Sequence, residues 1–121
     1  MKKLILGCLL LGAGLVTGSE KVVGVWEGTL DSGAQKMRLI LKVEVSEAGK
    51  LGGTVTSVDQ GNVVMPIDRM VFKGGRFSYE IDAISGSYTA KLSKDGTVLK
   101  GTWKQGPSEL PLDMKRKPEG Q

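Results

Sequence analysis

From residue 20 onward, apolar and polar residues alternate in short runs separated by glycine-bearing turns, the period-two pattern of strands with one buried face. The clearest run is Gln35 to Val45. Met37, Leu39, Leu41, Val43 and Val45 share one face while Lys36, Arg38, Lys42 and Glu44 share the other, and Ile40 alone is out of phase. The same logic marks Val22 to Leu30, Lys50 to Val58, Met65 to Phe72, Arg76 to Ile81, Ser87 to Ser93, Thr97 to Lys104 and Glu109 to Arg116, eight predicted strands in all. No stretch requires a helix.

Between them, Asp31-Ser32-Gly33, Glu47-Ala48-Gly49, Lys73-Gly74-Gly75 and Lys94-Asp95-Gly96 place glycine where a turn needs positive φ. Connections this short make successive strands antiparallel neighbours and recur too soon for the crossovers of a Greek key. Such strands pack as a β-sandwich or as a closed barrel, and closure alone removes the exposed edges. The expected fold is therefore all-β: an eight-stranded antiparallel up-and-down barrel, with a β-sandwich as the alternative. Gly28-Thr29, Gly53-Thr54 and Gly101-Thr102 recur where a glycine would let such a sheet bend.

The N-terminus follows a different pattern. Met1-Lys2-Lys3 is a positive lead, Leu4 to Val16 is an apolar run of thirteen residues, and Thr17-Gly18-Ser19 offers small residues for cleavage. This predicts a cleavable signal peptide over residues 1–18 and one β-barrel domain over 19–121, ending in a short basic tail at 115–121. At 1.5 Å per residue the apolar run cannot cross a ~30 Å hydrocarbon core, so no membrane span is expected. The expected location is the periplasm or the extracellular space. Ile5-Leu6-Gly7-Cys8 also resembles a lipobox, which makes a lipoprotein acylated at Cys8 the alternative. Only four apolar residues precede Cys8, fewer than the ~7–15 of an ordinary signal core.

Composition narrows the chemistry. At 121 residues there is room for one core, and 18 glycines fit a turn-rich fold. The chain has no histidine and a single cysteine, which excludes Ser-His-Asp and Cys-His machinery and leaves no sulfur or imidazole ligands for zinc after signal removal. It also has no Gly-x-Ser-x-Gly elbow and no phosphate-binding glycine loop. No enzyme activity, cofactor or metal is expected. The carboxylates that could be nominated for acid–base work are Asp59 with Glu27, and Glu80 with Asp82; the second pair reads as a solvated strand face shared with Arg76. The net charge is +4, yet between Ser19 and Met114 twelve basic residues are interspersed with twelve acidic ones. That distribution predicts no continuous basic stripe and no nucleic-acid partner.

Gly24-Val25-Trp26 opens the first strand and Arg116 closes the last, which resembles the lipocalin and calycin pattern. The resemblance implies a tryptophan plugging one barrel end with the arginine packed over its ring, a cation–π contact. Further runs extend it: Trp26-Glu27-Gly28-Thr29-Leu30, Met37 to Val43, Ser57-Val58-Asp59-Gln60-Gly61, Gly101 to Gly106, and Leu110-Pro111-Leu112. Together they are similar to a small exported bacterial domain found alone or N-terminal to secreted α/β-hydrolase peptidases and esterases. That implies a calycin-like accessory barrel without catalytic residues. The chain departs from this pattern at Ala90 and Pro107, where glycines are usual, which bears on loop shape.

The polar segment Asp59-Gln60-Gly61-Asn62, flanked by Val58 and Val63-Val64, is the candidate ligand contact, with Tyr88, Trp103 and Gln105 joining it at a barrel mouth. Plain turn chemistry competes with this, Asp59 closing an Asx-turn and Gly61 at positive φ. The expected function is an exported non-enzymatic binding or interaction module, an accessory to a secreted hydrolase. The alternative is a carrier of a small apolar ligand in an interior lined by Leu39, Leu41, Phe77, Tyr79 and Trp103.

Overall fold

Wherever alternation is strict, a strand forms. The computed structural model describes residues 18–118; the expected signal segment up to Thr17, including Cys8, lies outside the described residues. The strands are β1 (Gly24–Asp31), β2 (Lys36–Val45), β3 (Leu51–Ser57), β4 (Val63–Pro66), β5 (Arg69–Lys73), β6 (Arg76–Ile81), β7 (Gly86–Leu92), β8 (Val98–Gln105) and β9 (Ser108–Arg116). All nine are antiparallel and belong to one curled half-barrel sheet, in the order β4-β3-β2-β1-β9-β8-β7-β6-β5. Among the described residues no helix is long and apolar enough to cross a membrane.

Two expectations are corrected here. A single sheet replaces the sandwich alternative, and the predicted strand Met65 to Phe72 is two strands rather than one. The break falls just after Pro66, where the backbone changes partner. Directly after it, Ile67 N–H donates to Gly53 O on β3 at 3.0 Å, and Asp68 N–H donates to Glu80 O on β6 at 2.9 Å. The segment thus leaves one neighbour and joins another within two residues, so the two edge strands of the sheet are consecutive pieces of one stretch of chain.

The curl depends on glycine where strands approach most closely. A Cβ at Gly53 would lie 1.8 Å from Lys42 O, and one at Gly101 would lie 2.2 Å from Thr89 O. Gly28 meets Asp113 O in the same way, which explains why Gly-Thr recurs on three strands.

Inward-facing residues fill the concave side. Tyr79, Tyr88 and Trp103 are register partners across β6, β7 and β8, and the Tyr79 and Tyr88 rings lie 5.5 Å apart. Phe77 packs edge-on against Tyr79 at 5.9 Å, beside the small Ala90 and Gly101 of the next row. Large rings in one row and small residues in the next let the layers interdigitate, and burying each large apolar side chain is worth about 1.5–3 kcal/mol.

The outward face corrects a third expectation. Charges that alternate in sign along the chain do not alternate on the sheet. Register sets Lys73 opposite Arg76, Arg76 opposite Lys91, and Lys91 opposite Lys100, so four cations form one row across four strands.

Candidate functional site

The two ends of the curled sheet differ, and the difference defines the site. One end is plugged. Trp26 is fully buried, its Nε1–H donates to Val22 O at 3.0 Å, and the Arg116 guanidinium lies 4.3 Å from its ring centroid. Register produces the contact, because Trp26 on β1 and Arg116 on β9 are ladder partners. The guanidinium also donates from Nη1 to Val23 O at 2.7 Å, from Nε to Gly96 O at 3.1 Å, and from Nη2 to Lys21 O. One side chain therefore ties the last strand to the N-terminal 3-10 turn Ser19–Val22 and to the β7–β8 turn. Desolvation lowers its pKa from the ordinary arginine value. Gly24 is the glycine of the Gly-x-Trp motif for two reasons: its φ is +137°, and a Cβ there would lie 2.8 Å from Arg116 Nη1.

The opposite end holds a cavity of about 250 Å³. Its walls are Leu39, Val55, Met37, Met65 and Ile84, Trp103 contributes an indole face, and Ser57, Gln60 and Gln105 supply the polar groups. The indole is seated by a close approach to Gly86, where a Cβ would lie 2.6 Å from the ring. Ser57 is almost fully buried; its hydroxyl donates to Gln60 Oε1 at 2.8 Å, and Trp103 Nε1–H donates to Gln105 Oε1 at 3.3 Å. With both amide oxygens engaged, the side-chain amino groups of Gln60 and Gln105 are the donors left to face an incoming group. The cavity can accept one apolar group carrying a hydrogen-bond acceptor at its outer end.

Of the residues nominated from sequence, Gln60, Trp103 and Gln105 meet at this cavity, and Asp59 and Tyr88 do not. The Asp59 carboxylate instead accepts the Arg38 backbone N–H at 2.9 Å, fastening the 3-10 turn Val58–Gln60 to β2, while Gly61 takes φ 79° as turn chemistry expects. Tyr88 is a core residue: its hydroxyl donates to Leu112 O at 2.6 Å, with Leu99 O 3.3 Å away, so it links β7 to β8 and β9. The expected carrier interior is corrected as well. Leu39 and Trp103 line the cavity, but Leu41, Phe77 and Tyr79 are fully buried in the packed centre. Sequence reasoning missed Leu30, Met37, Val55, Ser57, Met65 and Ile84 as cavity residues. Ser57 was readable from its phase with Val55, whereas Ile84 sits in the 3-10 turn Asp82–Ile84, which no periodicity marks.

The nominated carboxylates are engaged elsewhere. Arg69 binds Glu80 and Asp82 together, with Nε 2.8 Å from Glu80 Oε1 and Nη1 3.2 Å from Asp82 Oδ2. The hydrogen bonds it donates to Asp82 and then to Glu80 raise the arginine's pKa above its ordinary value. Arg76, Glu80 and Asp82 are all exposed, as a solvated face requires. Glu27 lies 3.5 Å from Lys117 and 3.8 Å from Arg38.

In the packed centre, burial raises both tyrosine hydroxyls above their ordinary pKa, with smaller contributions from Tyr88 on Tyr79 and from Asp113 on Tyr88. The Tyr79 hydroxyl is buried without a hydrogen-bond partner among the described residues.

No family model matches the chain, and no curated protein matches it.

Proposed function

We propose that the chain is an exported, non-enzymatic interaction module of the calycin-like kind, in which β4 and β5 act as one bent strand of an eight-stranded barrel and the unplugged end receives a single apolar group from a protein partner. The observation that carries this reading is the cavity: about 250 Å³, with apolar walls and two side-chain amides at its mouth. That volume falls below the roughly 300–1,000 Å³ of pockets that hold whole small molecules. It suits one large side chain, and protein interfaces concentrate their energy in such anchors. Val63, 50% exposed and the register partner of Ser57, lies on the same face of β4 as Met65 and beside the same loop.

The non-enzymatic part of the reading is supported by the lack of histidine and by the occupation of Glu80 and Asp82 by Arg69. Export, and association with a secreted hydrolase, rest on the N-terminal sequence and the family resemblance. A carrier of a free apolar ligand is the second reading, favoured by the apolar walls but confined to a fragment-sized guest.

The test is an NMR titration of the protein with indole and with 1-hexanol. Shifts should concentrate on the Trp103 indole N–H, the Gln60 and Gln105 amides and the Met37 and Met65 methyls, and Leu39→Trp, which fills the space, should abolish them. Shifts scattered over the surface, or none at millimolar probe, would sink the reading. Mass spectrometry of the protein recovered after expression with its leader tests export separately: a chain beginning near Ser19 is expected, and an intact or Cys8-acylated chain would contradict it.

A further inference from the structure

The row of cations on the convex face concerns a different surface. Lys73, Arg76, Lys91 and Lys100 are all exposed and sit on β5, β6, β7 and β8 as successive register partners. Phe72, Phe77, Ala90 and Leu99, next to them in the chain, turn to the core side, so the four charges share the outer face. With strands spaced ~4.8 Å apart the row runs about 14 Å. Like charges set directly opposite destabilise a sheet, and none of these four holds an ion pair with a described residue. The nearby acids are otherwise placed. Lys104 holds Glu109 at 3.3 Å, Arg69 holds Glu80 and Asp82, and Asp113 lies beyond the row on β9, opposite Lys100.

A second row runs parallel to the first. Ser78, Thr89 and Thr102 are register partners on the same face, between Val71 on β5 and Pro111 on β9. Over β7 and β8 the two rows border a shallow depression of about 360 Å³ that includes Arg76, Lys91, Lys100, Thr89 and Thr102.

We propose that this face is a docking surface for a linear acidic polysaccharide lying across the strands, with the carboxylates of alternate sugars set against cations of the row and ring hydroxyls meeting the Ser78–Thr89–Thr102 row. Charge complementarity supplies the attraction. Two strand spacings, ~10 Å, are comparable to the two-sugar repeat that brings carboxylates of an extended uronate chain to one side, so a periodic polymer can address more than one cation of the row at once. The hydroxyl row suits a partner whose remaining groups are themselves hydroxyls. Single-stranded nucleic acid fits less well, because it is held by base stacking on exposed aromatic rings, and Phe77, Tyr79, Tyr88, Trp103 and Trp26 are all buried.

The test uses the purified protein in native gels containing polygalacturonate, dextran or poly(dT), with affinities measured by isothermal titration. Retention by polygalacturonate and not by dextran is expected, weakening as salt rises. Lys91→Gln with Lys100→Gln should lower the affinity about tenfold or more, because half of the row is neutralised. Lys36→Gln with Lys50→Gln, the same change in net charge elsewhere, should lower it less than about threefold. Thermal melts show that the variants fold, and relief of repulsion should leave the Tm of the Lys91/Lys100 pair unchanged or higher. Equal losses for the two pairs, poly(dT) bound as tightly as polygalacturonate, retention by dextran, or no binding at low salt would each overturn the proposal.

Discussion

Tyr79 and Tyr88 are cross-strand partners on β6 and β7, so removing the same atom from each isolates the worth of a hydrogen bond in this core. The Tyr88 hydroxyl donates to Leu112 O at 2.6 Å, and that of Tyr79 is equally enclosed but has no partner among the described residues. Tyr88→Phe deletes a buried bond and leaves a carbonyl without its donor, which costs about 1–2 kcal/mol. Tyr79→Phe deletes a buried hydroxyl whose desolvation, about 1–3 kcal/mol, nothing offsets. The dispersion attraction between that oxygen and its neighbours disappears with it and reduces the gain, so the variant should be more stable by about 1 kcal/mol. In a domain of this size each kcal/mol moves Tm by roughly 4–8 °C. Thermal and urea unfolding of the two variants should therefore shift in opposite directions, with unchanged urea m-values. A loss of about 1 kcal/mol or more in Tyr79→Phe would refute the reasoning, since it would mean that the hydroxyl bonds to a buried water or ligand.

The same two residues, the only tyrosines in the chain, predict the alkaline limit of stability. Their folded pKa values lie above the ordinary 10.0, mainly through burial, so their contribution is complete below pH 10 and is lost as pH rises beyond it. Tyrosinate absorbance should emerge together with loss of β circular dichroism; ionisation of either ring in a chain that is still folded would contradict this. Arg116→Lys keeps the charge but loses the planar stack on Trp26 and most of the three backbone bonds, and should cost about 2 kcal/mol in urea unfolding; a loss below about 0.5 kcal/mol would show that the plug is dispensable. Gly53→Ala places a methyl 1.8 Å from Lys42 O and should cost more than about 3 kcal/mol, while a loss under about 1 kcal/mol would mean that β2 and β3 can separate without penalty.

Much of the fold was legible in the order of residues. Strict alternation placed β2 within one residue of its ends and β6 at both of them. The turn glycines Gly33, Gly49, Gly74 and Gly96 all take positive φ. The split between β4 and β5 was missed because alternation describes which face a residue occupies, not which neighbour its backbone bonds to. Pro66 was the available signal. At the site, Trp103, Gln60 and Gln105 were legible as large or polar residues near predicted strand ends. Asp59 and Tyr88 were misplaced because a polar atom can be satisfied by its own backbone surroundings as readily as by a ligand: one caps Arg38 N–H and the other reaches Leu112 O.

The sequence by itself determined most of the strands, the turns between them and which of their residues face inward, since each follows from local sterics and a period of two. Tertiary structure alone decided register and the order of strands in the sheet, because these depend on pairings between residues far apart in the chain. Register put Arg116 over Trp26, left one end plugged and the other hollow, and gathered Lys73, Arg76, Lys91 and Lys100, scattered among acids in the sequence, into one row without ion pairs among the described residues.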